Sequence, residues 1–207
     1  MTKIMTASQM TDGQIENAVN KLRDAMRKDR SEITSEVAQR VLGVENLGMI
    51  MFTPFRERAE AISNLIVHPV TVNRRREPMD AIKATGRNFY GNEAVVKAMP
   101  RGDGDKVEVI FFKPNLSERG GLISDDDLDD RGYELRGLKP ADPYSLAAVN
   151  EADPAFADEH PNTTHWKDDQ GQWCYAAFSR YRAERRVNVC RLSHEWIDAW
   201  CFAGLRK

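Results

Sequence analysis

The side chains best suited to metal or nucleophilic chemistry in this chain are its four histidines and three cysteines. Their spacing does not make a zinc site. His68, His160, His165 and His194 have no Cys or His partner at finger spacing, and Cys-x-x-Cys does not occur. Two nucleophile–base pairs can be written, Cys174 with His165 and Ser145 with His160. Cys174 lies in the apolar run Trp173 to Phe178, where a thiol stays inert unless a basic neighbour lowers its pKa. No Gly-x-Ser-x-Gly elbow surrounds Ser145. His165 with Asp142 or Asp158 would make an acid–base pair, but spacing alone does not bring them together. The acidic run Asp125 to Asp130 fails as an EF-hand loop, which needs Gly at its sixth position and Glu at its twelfth; Asp130 and Arg136 stand there. Ser124 as N-cap, with carboxylates in a first helical turn, is the better reading. The sequence points to no catalytic residue, no metal and no cofactor.

Binding chemistry is better represented. Arg74, Arg75 and Arg76 follow a strand, where guanidinium groups can clamp phosphates. Arg180, Tyr181, Arg182, Arg185 and Arg186 crowd one hairpin tip, and Trp166, Trp173, Tyr175 and Trp200 supply aromatic surface. These residues favour a non-catalytic binding or regulatory protein that acts through protein–protein contact, of the accessory kind that a phage or plasmid carries. Nucleic acid recognised by the Arg and aromatic hairpins is the alternative. An enzyme acting on a small molecule is the third reading.

Charge is divided unevenly along the chain. The net −2 combines −8 over residues 115–159 with +3 over 160–207 and +3 over 1–114. This fits either a polyanion-binding face with an acidic counterweight or two surfaces that neutralise each other within one fold. No run reaches the ~18 apolar residues of a membrane span, and the N-terminus lacks the apolar core of a signal peptide. The cysteines lie in apolar strand contexts. A cytoplasmic protein with reduced thiols is expected; a disulfide between neighbouring strands is the alternative.

The elements that must position these residues read as an α+β fold, with a helical region over 1–63 and an α+β domain over 64–207. Thr11 and Gln14 fit a capping box, followed by Ile15, Val19, Leu22 and Met26 on one helical stripe. A second helix ends at Gly43, a third piece covers 45–52, and Thr53-Pro54 restarts the helix. A helix-turn-helix reading over 37–51 fails because Leu47, Met49, Ile50, Met51 and Phe52 are too apolar for a groove-reading helix. Pro69 marks the first strand as an edge or a bulge. Asn92 caps a short helix, 106–113 is a strand, and Asp142-Pro143 and Asp153-Pro154 each start a helix. At the C-terminus, four strands over 163–203 with short connections make an antiparallel meander. Neither parity of its second strand is polar, which reads as a central strand covered on both faces by short upstream helices; the alternative is one covered face and one exposed aromatic face that would suit single-stranded nucleic acid.

Several stretches resemble a family of conserved hypothetical proteins from bacterial and environmental sequence. They include Ala84-Thr85-Gly86-Arg87, Met99-Pro100-Arg101-Gly102, the run from Arg136 to Ser145, the run from Asn150 to Asp158, Thr164-His165-Trp166-Lys167-Asp168 and the ending Phe202-Ala203-Gly204-Leu205-Arg206-Lys207. Members often carry a second Trp where this chain has Cys201. The resemblance covers 62–207 and implies one folded unit, with no activity attached.

Overall fold

A computed structural model describes residues 10–114, 116, 120–191 and 195–207, the side chains of 60 and 61 excepted. The expected turn at Ser193 and His194 lies outside them. The chain divides into two compact units, Met1–Pro54 and Phe55–Lys207.

Helix α1 (Asp12–Lys28) opens with a complete capping box. Gln14 N donates to Thr11 Oγ1 at 3.3 Å, and Thr11 N donates to Gln14 Oε1 at 2.9 Å. Thr34 caps α2 (Ser35–Leu42) with one bond only, its Oγ1 accepting from Val37 N at 3.4 Å, and Gly43 ends it. The expected break at Thr53-Pro54 does not occur. Helix α3 (Leu47–Ser63) runs through it with Pro54 inside. Proline removes one intrahelical donor there. One turn back, the Met49 carbonyl accepts a bond from Thr53 Oγ1 at 2.9 Å. Neither α1 nor α2 buries a single residue.

The second unit is α+β. In chain order its elements are β1 (Ile66–Thr71), α4 (Pro78–Lys83), β2 (Asn88–Gly91), α5 (Glu93–Lys97), β3 (Lys106–Phe112), β4 (Leu122–Ser124), α6 (Asp125–Asp127), β5 (Leu138–Pro140), α7 (Pro143–Ala152), α8 (Phe156–Glu159), β6 (Asn162–Lys167), β7 (Trp173–Tyr181), β8 (Glu184–Arg191), β9 (Glu195–Ile197) and β10 (Cys201–Arg206). The main sheet runs β1-β3-β10-β6-β7-β8-β2, with β5 also paired to β10. It is mostly antiparallel; the β10–β6 and β2–β8 pairs are parallel. Pro69 sits on β1, an edge strand, as its missing donor requires.

The meander differs from expectation in its last strand. β6, β7 and β8 are consecutive antiparallel neighbours. The next strand, β9, leaves the sheet to pair with β4. β10 then returns on the far side of β6, where Cys201 meets Asn162 in parallel. A tight turn joins only antiparallel neighbours, so this parallel return needs the long excursion through β9. Asp153 also starts its helix later than expected. Its carboxylate accepts from Ala155 N and Phe156 N, and α8 begins at Phe156.

Strand parity divides the core in two. Val109, Phe111, Cys174, Ala176, Phe178, Val187, Val189, Cys201 and Ala203 face helices α4, α5, α7 and α8. Ile110, Phe112, Tyr175, Ala177 and Phe202 face the opposite layer, made by Ile123, Leu128, Tyr133 and Trp196. β7 is therefore buried on both faces, and the alternative of an exposed aromatic face does not hold. The same parity separates Cys174 from Cys190 on the neighbouring strand and rules out a bridge between them; all three cysteines are free.

Candidate functional site

One strand and one helical segment build the densest polar cluster. Ser124 caps α6, its Oγ accepting from Asp127 N at 3.2 Å. The chain continues as a π-helical turn over Leu128–Tyr133. Asp125 and Asp129 are four residues apart, so both carboxylates point from one side of this segment. They clamp His165 of β6. Nδ1 lies 2.8 Å from Asp125 Oδ1 and Nε2 lies 2.8 Å from Asp129 Oδ1. Trp196 Nε1 donates to the same Asp125 oxygen at 2.8 Å. The ring of His165 stacks on Trp173, with centroids 4.5 Å apart and planes at 17°.

Burial alone would push the His165 pKa down. The hydrogen bonds and charges of Asp125 and Asp129 outweigh it, and the pKa is raised. Between two carboxylates the geometry favours the protonated ring, the form that can donate from both nitrogens. Tyr133 packs beside it, at 5.6 Å between centroids, and donates its hydroxyl to Ala203 O at 3.1 Å. Burial, helped by the charge of Asp129, holds this phenol well above its ordinary pKa.

His165, Asp129 and Trp173 form part of the wall of an open cleft of about 420 Å³, together with Trp166, Lys167, Lys139 and the Pro100–Asp103 loop. Asp129 is the member of the clamp that reaches solvent, its side chain 43% exposed against 2% for Asp125. Lys167 Nζ sits 4.3 Å above the Trp173 ring and 3.2 Å from Asp126 Oδ1.

The loop on the cleft rim is held by Arg74. Its guanidinium donates to the carbonyls of Arg101, Asp103 and Gly104, to Asp142 Oδ1 at 2.8 Å and to Ser145 Oγ at 3.1 Å. Arg101 answers by donating to the carbonyls of Arg74 and Arg76. Gly102 has φ +68°, and a Cβ there would lie 2.2 Å from Asp142 Oδ2. Asp142 also caps α7 by accepting from Ser145 N and Ser145 Oγ.

No family model matches this chain, and no curated protein or solved structure matches it significantly. The chemistry of the site must therefore be read from its own residues.

The two nucleophile–base pairs written from sequence are not assembled. Cys174 and His165 point to opposite faces of the sheet, because Cys174 pairs with Trp166 and His165 with Tyr175. Burial raises the Cys174 pKa. Ser145 belongs to the Asp142–Arg74 junction, whereas His160 packs at a tilt against Phe156, with centroids 5.1 Å apart. His165 takes neither Asp142 nor Asp158 as its carboxylate. Their places belong to Asp125 and Asp129, whose spacing of four was the available signal. Only the tertiary contact across roughly forty residues names their partner. Among the described residues no group of three or more His, Cys, Asp or Glu side chains is arranged to hold a metal ion.

The arginine set is mostly engaged within the fold. Arg76 pairs with Glu151 at 2.6 Å. Asp158 collects Arg180 at 3.2 Å, Arg185 at 2.8 Å and the buried Arg87 at 3.7 Å. Burial tends to raise the Asp158 pKa, but Arg185, Arg87 and Arg180 together lower it. Arg186 pairs with Glu184 at 2.5 Å and lies over the rings of Tyr90 and Tyr181. Arg75 and Arg182 are exposed and have no carboxylate partner among the described residues. The acidic block thus neutralises basic residues from both sides of it in sequence. Of the aromatic set, Tyr175 is buried edge-on to Trp196, and Trp200 is half-buried against the same indole at 5.7 Å. Trp166 is half-buried at the cleft.

Large apolar side chains are also exposed on the helices of the first unit. On α1, Ile15, Val19, Leu22 and Met26 are 46, 45, 44 and 57% exposed. On α2, Val37, Val41 and Leu42 are 48, 47 and 64% exposed.

Proposed function

We propose that this is a non-catalytic accessory protein that works through protein–protein contact, with the apolar stripe of α1 as its contact surface. One observation carries the reading: a capped, amphipathic helix leaves every large apolar side chain of its stripe exposed. Contiguous apolar surface of this kind marks interaction sites. No described helix is long and apolar enough to cross a membrane, so a bilayer-spanning role for the stripe is not supported. The free cysteines, two of them buried, suit a cytoplasmic location.

The nucleic-acid reading has less support. Binding by counterion release needs cations free to neutralise phosphates. Arg76, Arg180, Arg185 and Arg186 already have carboxylates. Arg75 and Arg182 remain.

The test is retention of partner protein by the immobilised full-length chain at low and high salt, with Val19→Ser/Leu22→Ser as the control. Retention that survives high salt and disappears in the double variant supports the reading. Retention indifferent to the double variant overturns it.

A second reading rests on the imidazolium in the cleft wall. If Asp129 turns outward, His165 Nε2–H faces the cleft as a general acid while Asp125 holds Nδ1. Turnover of a small ester or phosphate substrate, lost in a folded His165→Gln variant, would support it. Equal turnover by both proteins would end it.

A further inference from the structure

We infer that the partner of α1 is a second copy of α1, packed antiparallel; this rests on the contact-surface reading and names its occupant. The stripe residues Ile15, Val19, Leu22 and Met26 are spaced four, three and four, which is the seam of a two-helix coiled coil. With helices antiparallel, Ile15 meets the partner's Met26 and Val19 meets the partner's Leu22, so one two-fold axis satisfies all four positions. The flanks decide the orientation. At 3.6 residues per turn, Glu16 and Arg23 lie on one side of the stripe, and Ala18 and Ala25 on the other.

In an antiparallel pair like flanks face each other. Glu16 then meets the partner's Arg23, and Arg23 meets the partner's Glu16, while two small alanines on the other flank allow close approach. In a parallel pair the charged flank would face alanines, and nothing would select it. The ends agree: Asp12 in the first turn meets the last turn that carries Arg27 and Lys28, and the helix dipoles run opposed. Glu16 has no ion pair among the described residues. Arg23 donates only to Asn20 Oδ1 on its own helix, at 2.7 Å. Both charges are available to a partner.

The experiment is sedimentation equilibrium of the full chain over a wide concentration range. The expected result is a mass that rises from 23.5 kDa towards twice that value. Glu16→Lys alone and Arg23→Glu alone each place like charges at both symmetric contacts and weaken the dimer roughly tenfold. The Glu16→Lys/Arg23→Glu double variant restores it. An equimolar mixture of the two single variants forms a heterodimer. Charge variants without effect on a dimer overturn the antiparallel pairing. A wild-type chain that stays at 23.5 kDa overturns self-pairing; if Val19→Ser/Leu22→Ser still abolishes salt-resistant retention of another protein, the contact-surface reading stands without it. Failure of both measurements removes both.

Discussion

The imidazole of His165 lies nearly parallel to the indole of Trp173, 4.5 Å from it. The indole completes a cage around the ring whose other walls are Asp125 and Asp129, and an indole face favours the ring's protonated form. The pH dependence follows from the raised pKa. The stability contributed by His165 is complete below its unfolded value, about pH 6.5. It is lost as pH rises through the higher folded value. Denaturant midpoints are expected to fall as pH rises above the unfolded value, and His165→Asn to flatten that slope. A slope unchanged in the variant would assign it to another group.

Asp158 is the counter-ion of a buried arginine, and its removal is the more damaging change. The Arg87 side chain is 0% exposed and ties Ser179 O and Pro154 O together. Asp158→Ala leaves that charge buried beside Arg185, at an expected cost of ~3–5 kcal/mol. Arg180→Ala removes a half-exposed partner and is expected to cost within ~1 kcal/mol. The acid side has the opposite sign to His165. Because the Asp158 pKa is lowered, its contribution is present above its unfolded value and is lost as pH falls through the folded one. Urea titration of the two variants would check the order, and equal costs would refute it.

Gly102 tests the cleft rim. A side chain there meets both a positive φ and the Asp142 carboxylate, with Arg74 Nη1 2.8 Å away. Gly102→Ala therefore strains the backbone by ~1–3 kcal/mol and pushes apart the Arg74–Asp142 pair. The expected outcome is a lower melting temperature, with faster amide exchange concentrated in residues 100–104. Gly120→Ala, where a Cβ meets nothing within 4 Å, is the control for positive φ alone. Equal effects of the two would show that the contact with Asp142 adds nothing.

Local signals in the sequence reached the elements and stopped short of the pairings. Thr11 with Gln14, Ser124, Asn92 and Asp142 were legible as caps because capping is settled within a few residues. Burial of β7 on both faces was legible from two apolar parities. The placement of β10 was not, because a parallel return is written in no hairpin turn and depends on β9 finding β4. The charge division was legible as well, but which carboxylate meets which guanidinium was not. Arg74 and Arg76 read as a phosphate clamp until Asp142 and Glu151 come to them from about seventy residues away. The His165 clamp failed in the same way: the spacing of Asp125 and Asp129 was visible, but their partner was not.

The stripe on α1 makes the remaining prediction, which concerns stability. Side chains already about half exposed lose little burial when truncated in a lone chain, and surface changes ordinarily stay within about 0.5 kcal/mol. Val19→Ser/Leu22→Ser is then expected to leave the unfolding of the 55–207 unit unaltered. An assembled α1 behaves differently, since only its folded form binds a partner. Its unfolding midpoint should rise with protein concentration, as mass action requires. The double variant should remove that dependence while leaving the low-concentration midpoint in place. Helix content followed by circular dichroism across a dilution series reads both quantities. An α1 whose unfolding ignores concentration in the wild-type chain would leave its stripe without a self-partner.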